Sequence, residues 1–127
     1  MKTIIQTDKA PAPIGPYNQA VLAGNVLYTS GQIAIDPQSG ELVLDDIQAE
    51  SHLVMKNLKA VLAAAGMDFE NVVKTSIFLK DMDNFQAVNS VYSEYFSEDT
   101  APARETVQVA KLPKDVNVEI SMVAIKA

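Results

Sequence analysis

An arginine and a glutamate near the carboxyl end of the chain are the residues whose chemistry could support a reaction. Arg104 lies in the alternating stretch ARETVQV, and Glu119 lies in the middle of a second one, VNVEISMVAI. A guanidinium presents a planar fork of donors that matches a carboxylate with two parallel hydrogen bonds. A glutamate withdrawn from water becomes a stronger base and could activate a water molecule. Both residues also fit structural roles, namely a surface ion pair for Arg104 and an exposed or interface strand position for Glu119.

Other residues could line a site around these two. Tyr17, in IGPYNQ, has a hydroxyl that could reach a ligand and a ring that could simply anchor its loop. Ser30 and Gly31 interrupt an apolar strand, and a glycine inside a strand often marks a bulge or the close approach of a ligand or second backbone. Asn89 and His52 fall within predicted helices, where exposure to solvent is the ordinary explanation.

The composition limits the kinds of site that are possible. The chain has no cysteine and one histidine, which excludes a disulfide framework, a thiolate zinc site and any site with two imidazoles. No glycine spacing matches a phosphate-binding or dinucleotide-binding loop, so no cofactor is expected. The net charge of −6 repels phosphate backbones, and no apolar run is long enough to span a membrane. We expect a soluble cytoplasmic protein without nucleic-acid, membrane or metal partners.

The elements that must position these residues follow from hydrophobic periodicity. The length of 127 residues fits a single domain spanning 1–127. One helix is predicted from Ile47 to Ala65, with a capping box of Asp45 and Gln48 before it and Gly66 after it. Its apolar residues recur at steps of three, four or seven and form one stripe: Ile47, Val54, Leu58, Val61, Leu62 and Ala65. A second helix is predicted at 84–96, with a capping box of Asp83 and Gln86. Strands are predicted at 2–7, 72–80, 103–109 and 116–125, with a hairpin over 20–35 that turns at Gly24-Asn25.

This order predicts an α+β two-layer sandwich, a mixed sheet with both helices on one face. In the last strand, alternate residues from Val116 to Ala124 face the helices, and Glu119 and Val123 lie on the opposite face, where we expect another copy of the chain to cover them. In the strand 103–109 the alternation assigns Val107 and Val109 to the core face, and it predicts Arg104, Thr106 and Gln108 on the helix-free face. The simplest pairing of the last two strands is a hairpin that sets Thr106 opposite Glu119, although the six-residue loop AKLPKD also permits the strands to lie apart.

Five segments carry a resemblance to a known family: IGPYNQA (14–20), TSGQIAIDPQSGE (29–41), KNLKAVLAAAG (56–66), VVKTSIFLKDM (72–82) and PARETVQVAKLPKDVNVEI (102–120). Together they resemble the RidA family, also called YjgF, over nearly the whole chain. The resemblance implies a chorismate-mutase-like fold and a homotrimer with its sheets facing inward and ligand clefts between subunits. It also implies that the last strand is inserted between earlier ones, so that Arg104 and Glu119 meet across a subunit boundary.

The resemblance further implies a reaction. RidA-type proteins hydrolyse reactive 2-imino acids, 2-iminobutanoate and 2-iminopropanoate, to 2-keto acids and ammonia without a cofactor. By the same resemblance Arg104 would hold the substrate carboxylate and Glu119 would position or activate the attacking water. The other matching cleft positions are occupied by Tyr17, Ser30, Gly31, Asn89 and Thr106, the last through its backbone N–H.

Two departures from the family pattern leave the substrate preference open. Thr106 stands where many relatives carry cysteine or a small residue, and Ala101 replaces a frequent aromatic. Two other functions also stay open. One is a regulatory module that binds 2-keto acids in the same cleft without turnover. The other is the ribonuclease or translation-inhibitor activity attached to some relatives, against which the negative charge and the lack of a basic-aromatic pattern argue.

Overall fold

Six strands form one mixed sheet, and two helices cover one of its faces. The computed structural model describes residues 1–127, and its layers confirm the predicted α+β sandwich. The strands are β1 (Lys2–Ile5), β2 (Ala20–Ala23), β3 (Val26–Thr29), β4 (Val72–Leu79), β5 (Ala103–Gln108) and β6 (Val118–Ile125). The helices are α1 (Ile47–Ala64) and α2 (Phe85–Tyr92).

The last strand in sequence lies inside the sheet. The spatial order is β1-β2-β3-β6-β4-β5, and every pair is antiparallel except β4 with β5. The insertion of β6 between β3 and β4 confirms the expectation drawn from the family resemblance. The prediction of a hairpin between the last two strands is therefore wrong, because β4 separates β5 from β6. Parallel pairing of β4 and β5 needs a long crossover, and α2 lies within that connection.

Helix α1 is capped at both ends. Its N-cap is Asp46, whose carboxylate accepts a hydrogen bond from the Ala49 N–H at 2.7 Å, so the predicted capping box of Asp45 and Gln48 is wrong by one residue. Gly66 follows the helix with φ of 74°, the left-handed conformation that a glycine C′ residue supplies, as predicted.

Helix α2 is shorter than predicted, because it ends at Tyr92 rather than near residue 96. The Asn89 carbonyl accepts both the Ser93 backbone N–H at 2.9 Å and the Ser93 hydroxyl at 2.7 Å, so Ser93 closes the helix end with two donors. At the other end, Asp81 caps a preceding short turn by accepting from the Asp83 N–H at 2.8 Å, which replaces the predicted capping box. Neither helix is long and apolar enough to cross a membrane.

The core fills the space between the helices and the covered face of the sheet. The alternation predicted for β6 is confirmed, because Val118, Ile120, Met122 and Ala124 are buried while Ile125 is 41% exposed. Helix α1 contributes its predicted stripe to the same core. The largest fully buried apolar side chains are Leu27, Met55, Leu58, Leu62, Ile77, Leu79, Ile120 and Met122.

Candidate functional site

The carboxyl group of Glu119 lies on the helix-free side of the sheet. Glu119 pairs with Phe78 of β4, and it lines a small cavity of about 90 Å³ together with Tyr17 and Gly31. Burial raises the pKa of the Glu119 carboxyl above its ordinary value. Within the chain no lysine, arginine or hydrogen-bond donor contacts this carboxylate to offset the loss of water. The structure thus provides a partly desolvated carboxylate, which is the condition for a stronger base.

A bulge brings Gly31 against this carboxylate. Tyr28 pairs with Val123, and Gln32 pairs with Ile120. The two pairs are therefore four residues apart on the segment that continues β3 and three residues apart on β6. One extra residue between these pairs is the mark of a bulge. A Cβ built on Gly31 would lie 2.7 Å from Glu119 Cδ, closer than real contacts allow. The bulge predicted at this glycine is confirmed, and the group that approaches it is the Glu119 side chain rather than a ligand or a second backbone.

The loop that carries Tyr17 is held by neighbouring polar groups. The Ser30 hydroxyl donates to the Asn18 carbonyl at 2.6 Å, and the Ser30 N–H donates to the Gln19 carbonyl at 2.9 Å. The buried Gln19 amide in turn donates to the carbonyls of Thr7 at 2.9 Å and Ala10 at 3.2 Å. The Tyr17 side chain remains 47% exposed beside the cavity. Ser30 therefore positions the loop, and the Tyr17 hydroxyl, which accepts from the Ile14 N–H at 3.5 Å, lies at the exposed side of the cavity.

A loop with unusual backbone angles forms another part of the cavity wall. Lys114 and Asp115 have φ of 54° and 56°, in the left-handed region that residues other than glycine rarely adopt. Lys114 lines the cavity, and Asp115 accepts a hydrogen bond from Lys80 Nζ at 3.2 Å. This strain lies next to the candidate site, as strained backbone often does.

A buried glutamate fixes the start of the strand that carries Glu119. Glu50 is fully buried, and its carboxylate accepts from the backbone N–H of Asn117 at 2.8 Å and of Val118 at 3.3 Å. The Asn117 side-chain amide adds a third bond at 2.7 Å. Sequence reasoning missed this residue, although a signal was present. Glu50 falls at helical spacing between Ile47 and Val54, within the apolar stripe of α1.

Arg104 lies on the face of the sheet that α2 covers, so the prediction that placed it on the helix-free face is wrong. It pairs with the buried Thr75 of β4, and its Nη1 donates to Asn89 Oδ1 at 2.7 Å. Its Cζ lies 5.0 Å from the centroid of the Tyr92 ring. The prediction was misled because apolar Val107 was assigned to the core, whereas Val107 is 41% exposed at the sheet edge. An arginine can occupy the covered side there because its guanidinium stacks on aromatic rings.

Asn89 and Ala101 lie beside the guanidinium. Asn89 is half-buried rather than simply exposed, because its side chain faces Arg104. A cleft of about 330 Å³ is lined by both residues together with Tyr92 and Arg104. The small side chain of Ala101 leaves this cleft open beside the arginine.

Thr106 presents two different groups. Its side chain lies on the α2 side, opposite Ile77, and its Oγ1 is buried without a hydrogen-bond partner. The Val109 N–H donates to the Leu79 carbonyl at 3.0 Å, and amide directions alternate along a strand. The Thr106 N–H therefore points away from β4, to the open edge of the sheet, where it is available to a ligand.

The predicted site residues form two groups in one chain. Tyr17, Ser30, Gly31 and Glu119 lie together on the helix-free side of the sheet. Asn89, Arg104 and Thr106 lie together at the outer edge and under α2. The first group contains the partly buried Glu119 carboxylate and the second contains the Arg104 guanidinium. No three His, Cys, Asp or Glu side chains converge as they would to hold a metal ion.

Comparison with known proteins adds to this geometry. A family model described as endoribonuclease L-PSP matches residues 7–126. A RutC family protein of Synechocystis is 56% identical over 96% of this chain and 95% of its own length. A human protein, 2-iminobutanoate/2-iminopropanoate deaminase, is 48% identical over 99% of this chain and 91% of its own length. The chain belongs to the RidA family.

A solved structure shows that other members share this fold. The Escherichia coli protein TdcF, crystallised with bound serine, matches the chain with a TM-score of 0.92 and 42% sequence identity. The match covers 98% of this chain and 99% of TdcF. The RidA fold is therefore present here with its sheet and both helices.

Proposed function

We propose that the chain hydrolyses reactive 2-imino acids, such as 2-iminobutanoate and 2-iminopropanoate, to 2-keto acids and ammonia. One observation carries the proposal. The partly desolvated Glu119 and the oriented Arg104 lie on opposite faces of one sheet, so a complete site needs Arg104 of one subunit and Glu119 of the next. The human relative named as a deaminase of these two imines supports the same reaction.

Arg104 holds the substrate by its carboxylate. One nitrogen of its guanidinium is engaged by Asn89, and its other donors remain for a ligand. The Thr106 N–H at the sheet edge adds a further donor within the same strand. Two parallel charge-assisted hydrogen bonds fix the plane of the carboxylate and therefore the position of the imine carbon.

Glu119 acts as the general base. It takes a proton from a water molecule while the water oxygen bonds to the imine carbon, and the nitrogen of the resulting carbinolamine receives that proton. Glu119 then carries the hydroxyl proton of the carbinolamine to the nitrogen as the C–N bond breaks, so ammonia leaves and the carbonyl of the 2-keto acid remains. An imine carbon is already electrophilic, so positioning and base catalysis suffice for the reaction.

The assembly in this proposal is a homotrimer with its helix-free sheet faces turned inward. That face carries Tyr28, Val107 and Ile125, which are 52%, 41% and 41% exposed in the single chain. Burial of such a face against other copies removes apolar surface from water. Sedimentation equilibrium should give three times the chain mass of 13.7 kDa. A monomer at micromolar concentration would contradict the shared site.

The direct test measures imine lifetime. Threonine dehydratase generates 2-iminobutanoate, and semicarbazide competes with the protein for it. We expect the wild-type chain to reduce semicarbazone formation and the Arg104→Ala and Glu119→Gln variants to lose that effect. An unchanged imine lifetime with the wild-type chain, or full activity in Arg104→Ala, would contradict the proposal.

A regulatory module that binds 2-keto acids without turnover is the second candidate. The TdcF structure with bound serine favours it, since that protein holds a small amino acid. Binding of 2-ketobutyrate without faster imine hydrolysis would select this function. The family model is described as an endoribonuclease, and the net charge of −6 argues against RNA binding. RNA cleavage that Arg104→Ala and Glu119→Gln abolish would support that third function.

A further inference from the structure

Three residues of α2 form a stripe beneath the Arg104 guanidinium. Phe85, Asn89 and Tyr92 are spaced by four and three residues, so they lie on one side of the helix. The Arg104 Cζ lies 5.7 Å from the Phe85 ring centroid and 5.0 Å from the Tyr92 ring centroid. Asn89 accepts from Nη1 at 2.7 Å. We call these three residues the α2 platform.

Arg104 is itself exposed, so its side chain would have many rotamers available without such contacts. A hydrogen bond to Asn89 fixes one end of the guanidinium, and ring faces fix its plane. The other guanidinium donors are then presented in a defined direction before any ligand arrives. Preorganisation of this kind reduces the entropy that a binding group loses when it engages its ligand.

Tyr92 is the buried member of the platform. Its side chain is only 5% exposed, and its hydroxyl donates to Thr75 Oγ1 at 3.0 Å. Its ring also packs against Phe96, with 4.8 Å between centroids. Thr75 is fully buried and is the β4 residue that pairs with Arg104. The position of the Tyr92 ring is therefore tied to the same strand pair that carries the arginine.

We propose that Tyr92 is a positioning residue, whose ring holds the Arg104 guanidinium in the orientation that receives the substrate carboxylate. This inference rests on the proposed function, because it assigns Tyr92 to the carboxylate subsite of that reaction. In this role Tyr92 acts through Arg104 rather than through a contact of its own with the substrate. Its effect should therefore appear in the affinity for any 2-keto or 2-imino acid and much less in the chemical step.

The test uses two substitutions at this position and a matched control. Tyr92→Leu removes the ring, whereas Tyr92→Phe keeps the ring and loses only the hydroxyl. Val91→Ala, on the same helix, removes a buried side chain that makes no hydrogen bond or cation–π contact with Arg104. Titration calorimetry measures the affinity for 2-ketobutyrate, and the semicarbazide assay separates binding of the imine from turnover. Thermal unfolding and sedimentation verify that each variant is folded and assembled like the wild type.

We expect Tyr92→Leu to weaken the binding of both 2-ketobutyrate and the imine substrate roughly two- to ten-fold. The turnover rate at saturating imine should change less than the binding, and Tyr92→Phe should restore most of the affinity. Val91→Ala should lower the unfolding temperature without weakening ligand binding. In an Arg104→Ala background, Tyr92→Leu should cause no further loss, because the residue through which it acts is gone.

Several outcomes would overturn the inference. Wild-type affinity in Tyr92→Leu, an equal loss in Val91→Ala, or an additive loss in the Arg104→Ala background would each assign Tyr92 a purely structural role. Failure of the proposed function has a different signature, in which the wild-type chain binds 2-ketobutyrate but does not shorten the imine lifetime. The difference in affinity between Tyr92→Leu and Tyr92→Phe still decides the inference in that case. A wild-type chain that does not bind 2-ketobutyrate overturns both.

Discussion

The side chains of Arg104 and Glu119 project from opposite faces of the same sheet. Arg104 pairs with Thr75 and Glu119 pairs with Phe78, and these two residues of β4 are an odd number of positions apart. Successive side chains of a strand point to opposite faces, so the guanidinium and the carboxylate of one chain cannot close on one small ligand. A site that uses both groups must therefore join two copies of the chain.

The first prediction concerns the base. Glu119→Gln keeps the shape of the side chain and removes its ability to accept a proton, so imine hydrolysis should fall by about 10²–10⁴-fold. Because the pKa of Glu119 is raised by burial, wild-type activity should decline as pH falls through a value above that of an ordinary glutamate. A pH series in the semicarbazide assay measures this. Equal activity of wild type and Glu119→Gln at neutral pH would contradict the assignment.

The same substitution should affect stability. The pKa of Glu119 is higher in the folded chain than in the unfolded one, so between the two values the folded chain binds more protons and stability decreases as pH rises. Glu119→Gln should therefore unfold at a higher temperature than the wild type at pH 7. The difference should disappear at a pH below both pKa values, where the wild-type carboxyl is protonated in both states. A lower melting temperature for Glu119→Gln at pH 7 would oppose this account.

Gly31→Ala should impair catalysis by displacing Glu119. The added Cβ would lie 2.7 Å from Glu119 Cδ, and the carboxyl must move to accommodate it. A misplacement near 1 Å in a catalytic group can cost about 10²-fold in rate, and we expect a loss of that order. Gly15→Ala is the control, because its Cβ would meet only the Tyr17 ring at an ordinary 3.7 Å. If Gly31→Ala reduces activity further in a Glu119→Gln background, the glycine has another role.

Replacement of Thr106 should stabilise the fold. Its Oγ1 is buried without a partner, so Thr106→Val exchanges an unsatisfied hydroxyl for a methyl group of similar size. We expect the free energy of unfolding to rise by about 1 kcal/mol, measured by urea denaturation. Thr29→Val is the matched control, because Thr29 Oγ1 accepts from the Met122 N–H at 2.9 Å and its loss should destabilise. Activity should persist in Thr106→Val, since the contact proposed for this residue uses its backbone N–H, which the substitution keeps.

Removal of the buried Glu50 carboxylate should destabilise the fold strongly. Glu50→Ala leaves two backbone N–H groups and one side-chain amide at Asn117 and Val118 without their acceptor. Each unsatisfied buried group costs about 1–3 kcal/mol, so the total loss should be about 3 kcal/mol or more. Gln48→Ala, an exposed change in the same helical turn, should have little effect in the same denaturation experiment. Comparable losses in both variants would contradict this account, because alanine is the best helix former and the exposed Gln48 takes no part in the buried network.

Periodicity in the sequence was sufficient to predict many of the helices and strands and their buried faces. The stripe of α1 and the alternation of β6 have periods of 3.6 and 2 residues, and these periods predict which side chains are buried. The turn at Gly24-Asn25 is a local pattern of residue types. The interruption at Gly31 likewise identified a bulge. These features depend on residues close together in the chain, and for that reason one sequence reveals them.

The tertiary structure decided which strands are neighbours and which face each candidate residue occupies. Strand β5 lies at the edge of the sheet, and its alternation alone did not say which side α2 covers. Only the parallel pairing of Arg104 with Thr75 places the guanidinium under α2 and against Tyr92. The buried contact of Glu50 with Asn117 joins residues 67 positions apart, at a distance that no local period can encode. The types of the candidate residues followed from the sequence, and their division between the two faces of the sheet followed from the pairing of distant strands.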